Sequence, residues 1–192
     1  MNTQVLEQPQ VQTTIKVTKA KLTKAGGLEI SFDKTAVFEK EGETTESFSE
    51  DNSKCNSFPH PDLVQCFDLM KPHLAILCDL REAYKRELME LTDNPELLEN
   101  IRVTGFSIGG SGEHEGVTLV GQKKLRGGKI LNLICPFTKY QDENDPYDYA
   151  YELEGLIDHT CSEVISYMNG KVAPNAQLEM QFDGEETDEE LE

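Results

Sequence analysis

Two glycine pairs, the first set between runs of alternating apolar and polar residues and the second followed by a strongly apolar run, constrain this chain more than any other feature. Ile15 and Val17 alternate with Lys16 and Thr18; Gly26-Gly27 follows, and Leu28, Ile30 and Phe32 alternate again. Period-two alternation sorts side chains onto the two faces of a strand, and glycine supplies the positive φ that a tight turn needs, so this spacing predicts a β-hairpin. Ala20 and Leu22 fall on the parity opposite to Ile15 and Val17. A bulge near Thr18-Lys19 is therefore required to keep one apolar face. Further strands are expected at Ala36-Val37-Phe38 and from Thr44 to Phe48, with Ser49 to Ser57 as a loop. The second pair, Gly127-Gly128, lies in a later β section. There Ile101 to Ile108 leads into the glycine-rich run Gly109 to Gly116, Val117 to Leu125 leaves it, and Ile130 to Ile134 returns, which predicts a three-stranded meander.

Helical spacing separates and follows these sections. Pro61 suits a first helical turn and Asp62 complements the positive helix start. Apolar residues then recur from Leu63 through Phe67, Met70, Leu74 and Leu77 to Leu91 at intervals of three and four. The expectation is one long amphipathic helix or a helix pair from Pro61 to about Leu91, kinked or broken near Met70 to Pro72, because Pro72 lacks the N–H that would reach Asp68. Leu153, Ile157, Cys161, Val164 and Met168 predict a second helix that Asn169-Gly170 stops, and Leu178, Met180 and Phe182 suggest a short final strand. The fold class is thus α+β with antiparallel pairing, and an OB-like barrel is one way to close it. The organisation read from the chain is a mobile arm over 1–13, a single domain over 14–182 and a disordered acidic tail over 183–192.

Charge is distributed unevenly. The chain has 36 acidic residues against 18 basic ones, a net charge of −18, and seven of the last ten residues are Asp or Glu. Two islands are basic, and each flanks a glycine pair: Lys16, Lys19, Lys21 and Lys24 around the first, Lys123, Lys124, Arg126 and Lys129 around the second. Such residues can solubilise exposed strand edges. Brought together on one side of a β platform, the same eight residues would form a cationic groove for single-stranded DNA, with the acidic tail competing for it.

Other chemistry lacks its usual pattern. The glycine-rich run opens no helix and carries no Gly-Lys-Ser/Thr, so it reads as hairpin connection rather than phosphate cradle. Glu113-His114-Glu115 has no second histidine nearby, and the acidic loop Asp142 to Asp148 lacks the glycine of a calcium loop, so no metal and no cofactor are expected. The cysteines Cys55, Cys66, Cys78, Cys135 and Cys161 form no C-x-x-C pair; three of them lie on apolar helix faces, which predicts free thiols without catalytic use. Tyr140, Tyr147, Tyr149 and Tyr151 offer flat faces suited to core edges or to stacking. The expectation is a non-enzymatic protein of the cytoplasm, or of a host cytoplasm if phage-encoded, with no membrane association.

In layout, a β-rich body that ends in the run Asp183-Gly184-Glu185-Glu186-Thr187-Asp188-Glu189-Glu190-Leu191-Glu192 resembles phage and bacterial single-stranded DNA-binding proteins. The compact, motif-poor texture is similar to that of small phage or prophage proteins. The resemblance implies a role in nucleic-acid metabolism, such as DNA replication. Two alternatives stand beside it: an interaction or inhibitor protein whose acidic C-terminal region occupies a basic surface of a partner protein, and an enzyme without a recognisable motif.

Overall fold

The first hairpin forms as its alternation requires. In the computed structural model, which describes residues 11–38, 44–144 and 146–174, β1 (Val11–Leu22) pairs antiparallel with β2 (Leu28–Phe38). The register slips between Val17 and Lys19, so the expected bulge brings Val17 and Ala20 onto the same buried face. Gly26 turns the chain at φ 90°, and the Thr23 N–H donates to the Gly27 carbonyl at 2.9 Å. β1 already includes Val11 to Thr13, residues read from sequence as part of the arm. The separate strand expected at Ala36 to Phe38 is the second half of β2, since no glycine or proline interrupts Asp33-Lys34-Thr35. β3 (Thr44–Cys55) continues through the segment expected to be a loop. Its polar residues are accommodated because it is an edge strand, and a slip opposite Ile30 to Phe32, with Asn52 at φ 56°, absorbs the extra residue.

Pro72 breaks the helix that follows. α1 (Pro61–Leu69) ends at Met70 and α2 (Lys71–Leu77) begins there, with the Leu74 N–H donating to the Met70 carbonyl at 3.0 Å. The continuous pattern to Leu91 misleads beyond this point. Asp79 turns out at φ 47°, a 3-10 turn covers Arg81–Ala83, and only α3 (Leu88–Asp93) resumes helix. The meander then appears as expected, with β4 (Ile101–Gly109), β5 (Gly116–Lys124) and β6 (Ile130–Ile134) paired antiparallel; a two-residue β7 (Thr138–Lys139) also pairs with β5. α4 (Ala150–Met168) completes the described residues, and Gly170 at φ 100° stops it. The arm before Val11, the strand expected at Leu178 to Phe182 and the acidic tail lie outside the described residues.

The strands form one seven-stranded sheet in the order β3-β2-β1-β4-β5-β6, with β7 beside β5. It is open, with β3 and β6 at its ends, so the chain does not close into an OB-like barrel. The two hairpin systems meet at a short seam where Lys19, Ala20 and Lys21 of β1 pair with Ser107, Phe106 and Gly105 of β4. A Cβ on Gly105 would stand 2.6 Å from the Ala20 carbonyl oxygen, so glycine is what lets the strands approach. Helices cover one face. Leu63, Phe67 and Met70 of α1 and its cap, Leu74 of α2 and Leu153, Ile157 and Val164 of α4 pack on Ala20, Leu28, Ile30, Phe106 and Leu119. The Phe67 and Phe106 rings lie 6.3 Å apart. Each such buried side chain contributes about 1.5–3 kcal/mol. No helix among the described residues is long and apolar enough to cross a membrane.

His73 is a buried polar member of this helical layer. Its Nδ1 shares a 2.9 Å hydrogen bond with the Tyr147 hydroxyl, and burial pushes its pKa down from 6.5 to about 4. Folding therefore favours the neutral imidazole. Stability from this group is complete above about pH 6.5 and declines as pH falls towards 4, because the unfolded chain takes up the proton first. The total loss is about 3 kcal/mol. Denaturant titrations from pH 7 to 4 should show this decline in the native chain and lose most of it in His73→Leu. For the seam, Gly105→Ala should cost about 1–3 kcal/mol by overpacking. Gly155→Ala, on an exposed turn of α4 with open space around it, should instead gain about 0.5–1 kcal/mol; thermal melts of the two variants check the opposite signs.

Candidate nucleic-acid interface

The helices leave the other face of the sheet to solvent, and strand parity decides what stands there. Ala20, Phe106 and Leu119 lie in one register row under the helices. The adjacent rows, Lys19-Ser107-Thr118 and Lys21-Gly105-Val120, therefore face outward. Glu29 and Lys54 extend the second row across β2 and β3, and Arg102, Gln122 and Asn132 form another across β4, β5 and β6. Gln122 Nε2 donates to Asn132 Oδ1 at 3.2 Å, a contact made on this open side.

Charge separates along the same division. β1, β4, β5 and β6 contain Lys16, Lys19, Lys21, Arg102, Lys123 and Lys124 and no acidic residue. α4 carries Glu152, Glu154, Asp158 and Glu163 and no lysine or arginine. A chain with an excess of carboxylates thus concentrates cations on β1, β4 and β5, whereas β2 and β3 of the same sheet carry Glu29, Asp33, Glu46, Glu50 and Asp51.

Both basic hairpins turn at the same end of the sheet. β1 is antiparallel to β4 and β4 to β5, so β1 and β5 run in the same direction into their glycine-pair turns. With β4 between them they stand roughly 10 Å apart. Lys21, Lys24, Lys124, Arg126 and Lys129 belong to this end and take part in no ion pair among the described residues. The other three sequence-derived candidates are neutralised. Lys16 pairs with Glu115 at 2.8 Å, and Lys19 pairs with Glu29 at 2.9 Å while donating to Asn52 Oδ1 at 2.6 Å. The hydrogen bond from Lys19 holds the Glu29 carboxyl below its ordinary pKa. Lys123 lies on the helical side, where it pairs with Glu82 at 2.7 Å with little of either side chain exposed. Sequence reasoning passed over Lys54 and Arg102. Lys54 fell in a segment read as loop, whereas Arg102 was legible from its alternation with Ile101 and Val103.

The remaining candidates lie elsewhere. Tyr140 packs against the core, and Tyr147 sits between His73 and Tyr149, at ring separations of 6.0 and 5.7 Å. Their burial raises both phenols well above the ordinary range. Beside them an open cleft of about 590 Å³ is lined by Glu113, His114, Lys139, Asp142 and Glu143 among others. The five cysteines are free. Burial pushes the Cys66 thiol up, Cys78 to about 11 and Cys161 to about 12, so these thiols stay protonated at neutral pH and are weak nucleophiles. Among the described residues no group of three or more His, Cys, Asp or Glu is placed to hold a metal ion. Phe58, by contrast, is 64% exposed and stands over Gly26 at the basic end of the sheet.

No family model, no curated protein and no solved structure matches this chain.

The two neighbouring lysines of β5 should separate in their effect on stability. Lys123→Ala strands the half-buried Glu82 and should cost about 1–3 kcal/mol. Lys124→Ala, at an exposed position, should stay within about 0.5 kcal/mol, as urea titrations of both variants would read.

Proposed function

We propose that this protein binds single-stranded DNA along the open face of its sheet, without catalysing a reaction. The observation that carries the reading is the run of four strands that hold no carboxylate and leave Lys21, Arg102 and Lys124 outside any ion pair among the described residues, in a chain with 36 acidic residues. Phosphates contact the outward-facing Lys21, Lys54, Arg102 and Lys124, which stand on separate register rows, and the two basic turns, and release of their counterions drives binding. Phe58 supplies an apolar ring for one base at the hairpin end. The acidic run of residues 183–192 acts as a tethered competitor, which vacates the groove when a polynucleotide arrives.

A second reading rests on α4, whose four carboxylates with no basic residue suit the basic surface of a partner protein. The same titration separates the two. A labelled oligothymidylate should bind the full chain at low salt, with log K falling linearly against log salt concentration. Lys21→Ala, Arg102→Ala and Lys124→Ala should each reduce that slope by roughly 0.7. Phe58→Ala should weaken binding by about 1–3 kcal/mol with the slope unchanged. Absence of binding at low salt, with and without residues 183–192, removes this reading and leaves the second.

A further inference from the structure

We propose that β6 is the two-fold interface of a homodimer, in which two copies of the chain join edge to edge into one continuous sheet. Natural sheets blunt their free edges with charges, prolines or bulges, and the two ends of this sheet differ in that respect. β3 carries Glu46, Glu50, Asp51 and Lys54 and a register slip. β6 has none of these devices. No charged residue occurs from Ile130 to Thr138, and Ile130, Leu131 and Ile134 are 54%, 45% and 69% exposed.

The sequence of β6 also specifies its partner. Ile130-Leu131-Asn132-Leu133-Ile134 reads the same from either end. Antiparallel pairing about a two-fold axis at Asn132 therefore sets Ile130 opposite Ile134 of the second copy, Leu131 opposite Leu133, and Asn132 opposite Asn132. Backbone directions agree with this register. The Cys135 N–H donates to the Leu119 carbonyl, and the Lys129 carbonyl accepts from Leu125, so the odd-numbered residues of the strand turn their amides towards β5. Ile130, Asn132 and Ile134 consequently point N–H and C=O groups outward, and in the dimer each facing pair exchanges two hydrogen bonds. Isoleucines, now exposed, meet across the open face, while Leu131 and Leu133 join the two helical sides. Pro136 ends the pairing. For a chain of charge −18, an uncharged edge is also where two copies meet with the least repulsion.

The proposal does not depend on nucleic-acid binding and is tested without ligand. Sedimentation equilibrium of the full chain across the micromolar range should give about 43 kDa, twice the 21.6 kDa of one chain. Asn132→Pro removes an outward N–H, which an edge strand tolerates, and the exposed side-chain hydrogen bond from Gln122. Asn132→Lys sets two ammonium groups opposite each other at the axis. Each should leave the circular dichroism spectrum unchanged and raise the dimer dissociation constant by at least roughly tenfold. If Asn132→Pro fails to fold, Asn132→Lys decides. A monomer at every concentration overturns the proposal. A monomer whose Ile130, Asn132 and Ile134 amides resist hydrogen exchange also overturns it, and assigns the edge to another segment of the same chain. A dimer that survives Asn132→Lys overturns it in favour of a different face.

Discussion

The three residue pairs between β1 and β4 hold the molecule together. Without them the amino-terminal three-stranded unit and the meander would be separate sheets. The seam depends on two local devices. The bulge between Val17 and Lys19 returns Ala20 to the buried face, and Gly105 allows the β4 backbone to approach the Ala20 carbonyl. Ala20 and Phe106, paired across it, are both fully covered, and Phe106 meets Phe67 of α1. Main-chain pairing and side-chain packing thus converge on the same few residues. A defect there propagates to both layers.

Charge separation follows from the same geometry. A sheet packed on one side by helices sends alternate residues outward, and on β1, β4 and β5 the outward positions include lysine, arginine, serine, threonine and glutamine and no carboxylate. The acidic residues of the folded body lie on the other elements, among them Glu29 and Asp33 on β2, Glu50 and Asp51 on β3 and the four of α4. Three candidate lysines are tied into ion pairs: Lys16 in the middle of β1, Lys19 beside the bulge and Lys123 with Glu82. The cations left over are those at the hairpin end, where no carboxylate is paired with them among the described residues. Paired and unpaired charges are therefore divided among residues of one chemical type, and only their neighbours tell them apart.

Period-two alternation and glycine pairs made the hairpin, its bulge and the meander legible, because a strand face and a turn conformation are local properties that a few adjacent residues satisfy. The Pro72 break was legible for the same reason, since a missing N–H acts within one turn. The helix boundary at Leu77 was not. Apolar spacing continues to Leu91, but the chain leaves the helix at Asp79 and buries Leu91 and Leu98 by a different route against the same core. Of β3 only the first half, Thr44 to Phe48, was legible, because an edge strand exposed to solvent need not alternate. Of the eight cationic residues singled out, the alternation placed Lys19 and Lys21 on a strand, but nothing local separated Lys123 from Lys124, whose environments differ completely.

What the sequence by itself determined is the first hairpin, the meander, the helix start at Pro61 and α4, with antiparallel pairing and helices segregated from strands, all consequences of backbone conformation and short-range periodicity. Tertiary structure decided the strand order, which strand edges stay free and which lysines keep their charge unpaired. Those outcomes depend on contacts between residues distant in the chain, such as Lys123 with Glu82 and Gly105 with Ala20, whose energies arise only once the β1–β4 seam has formed.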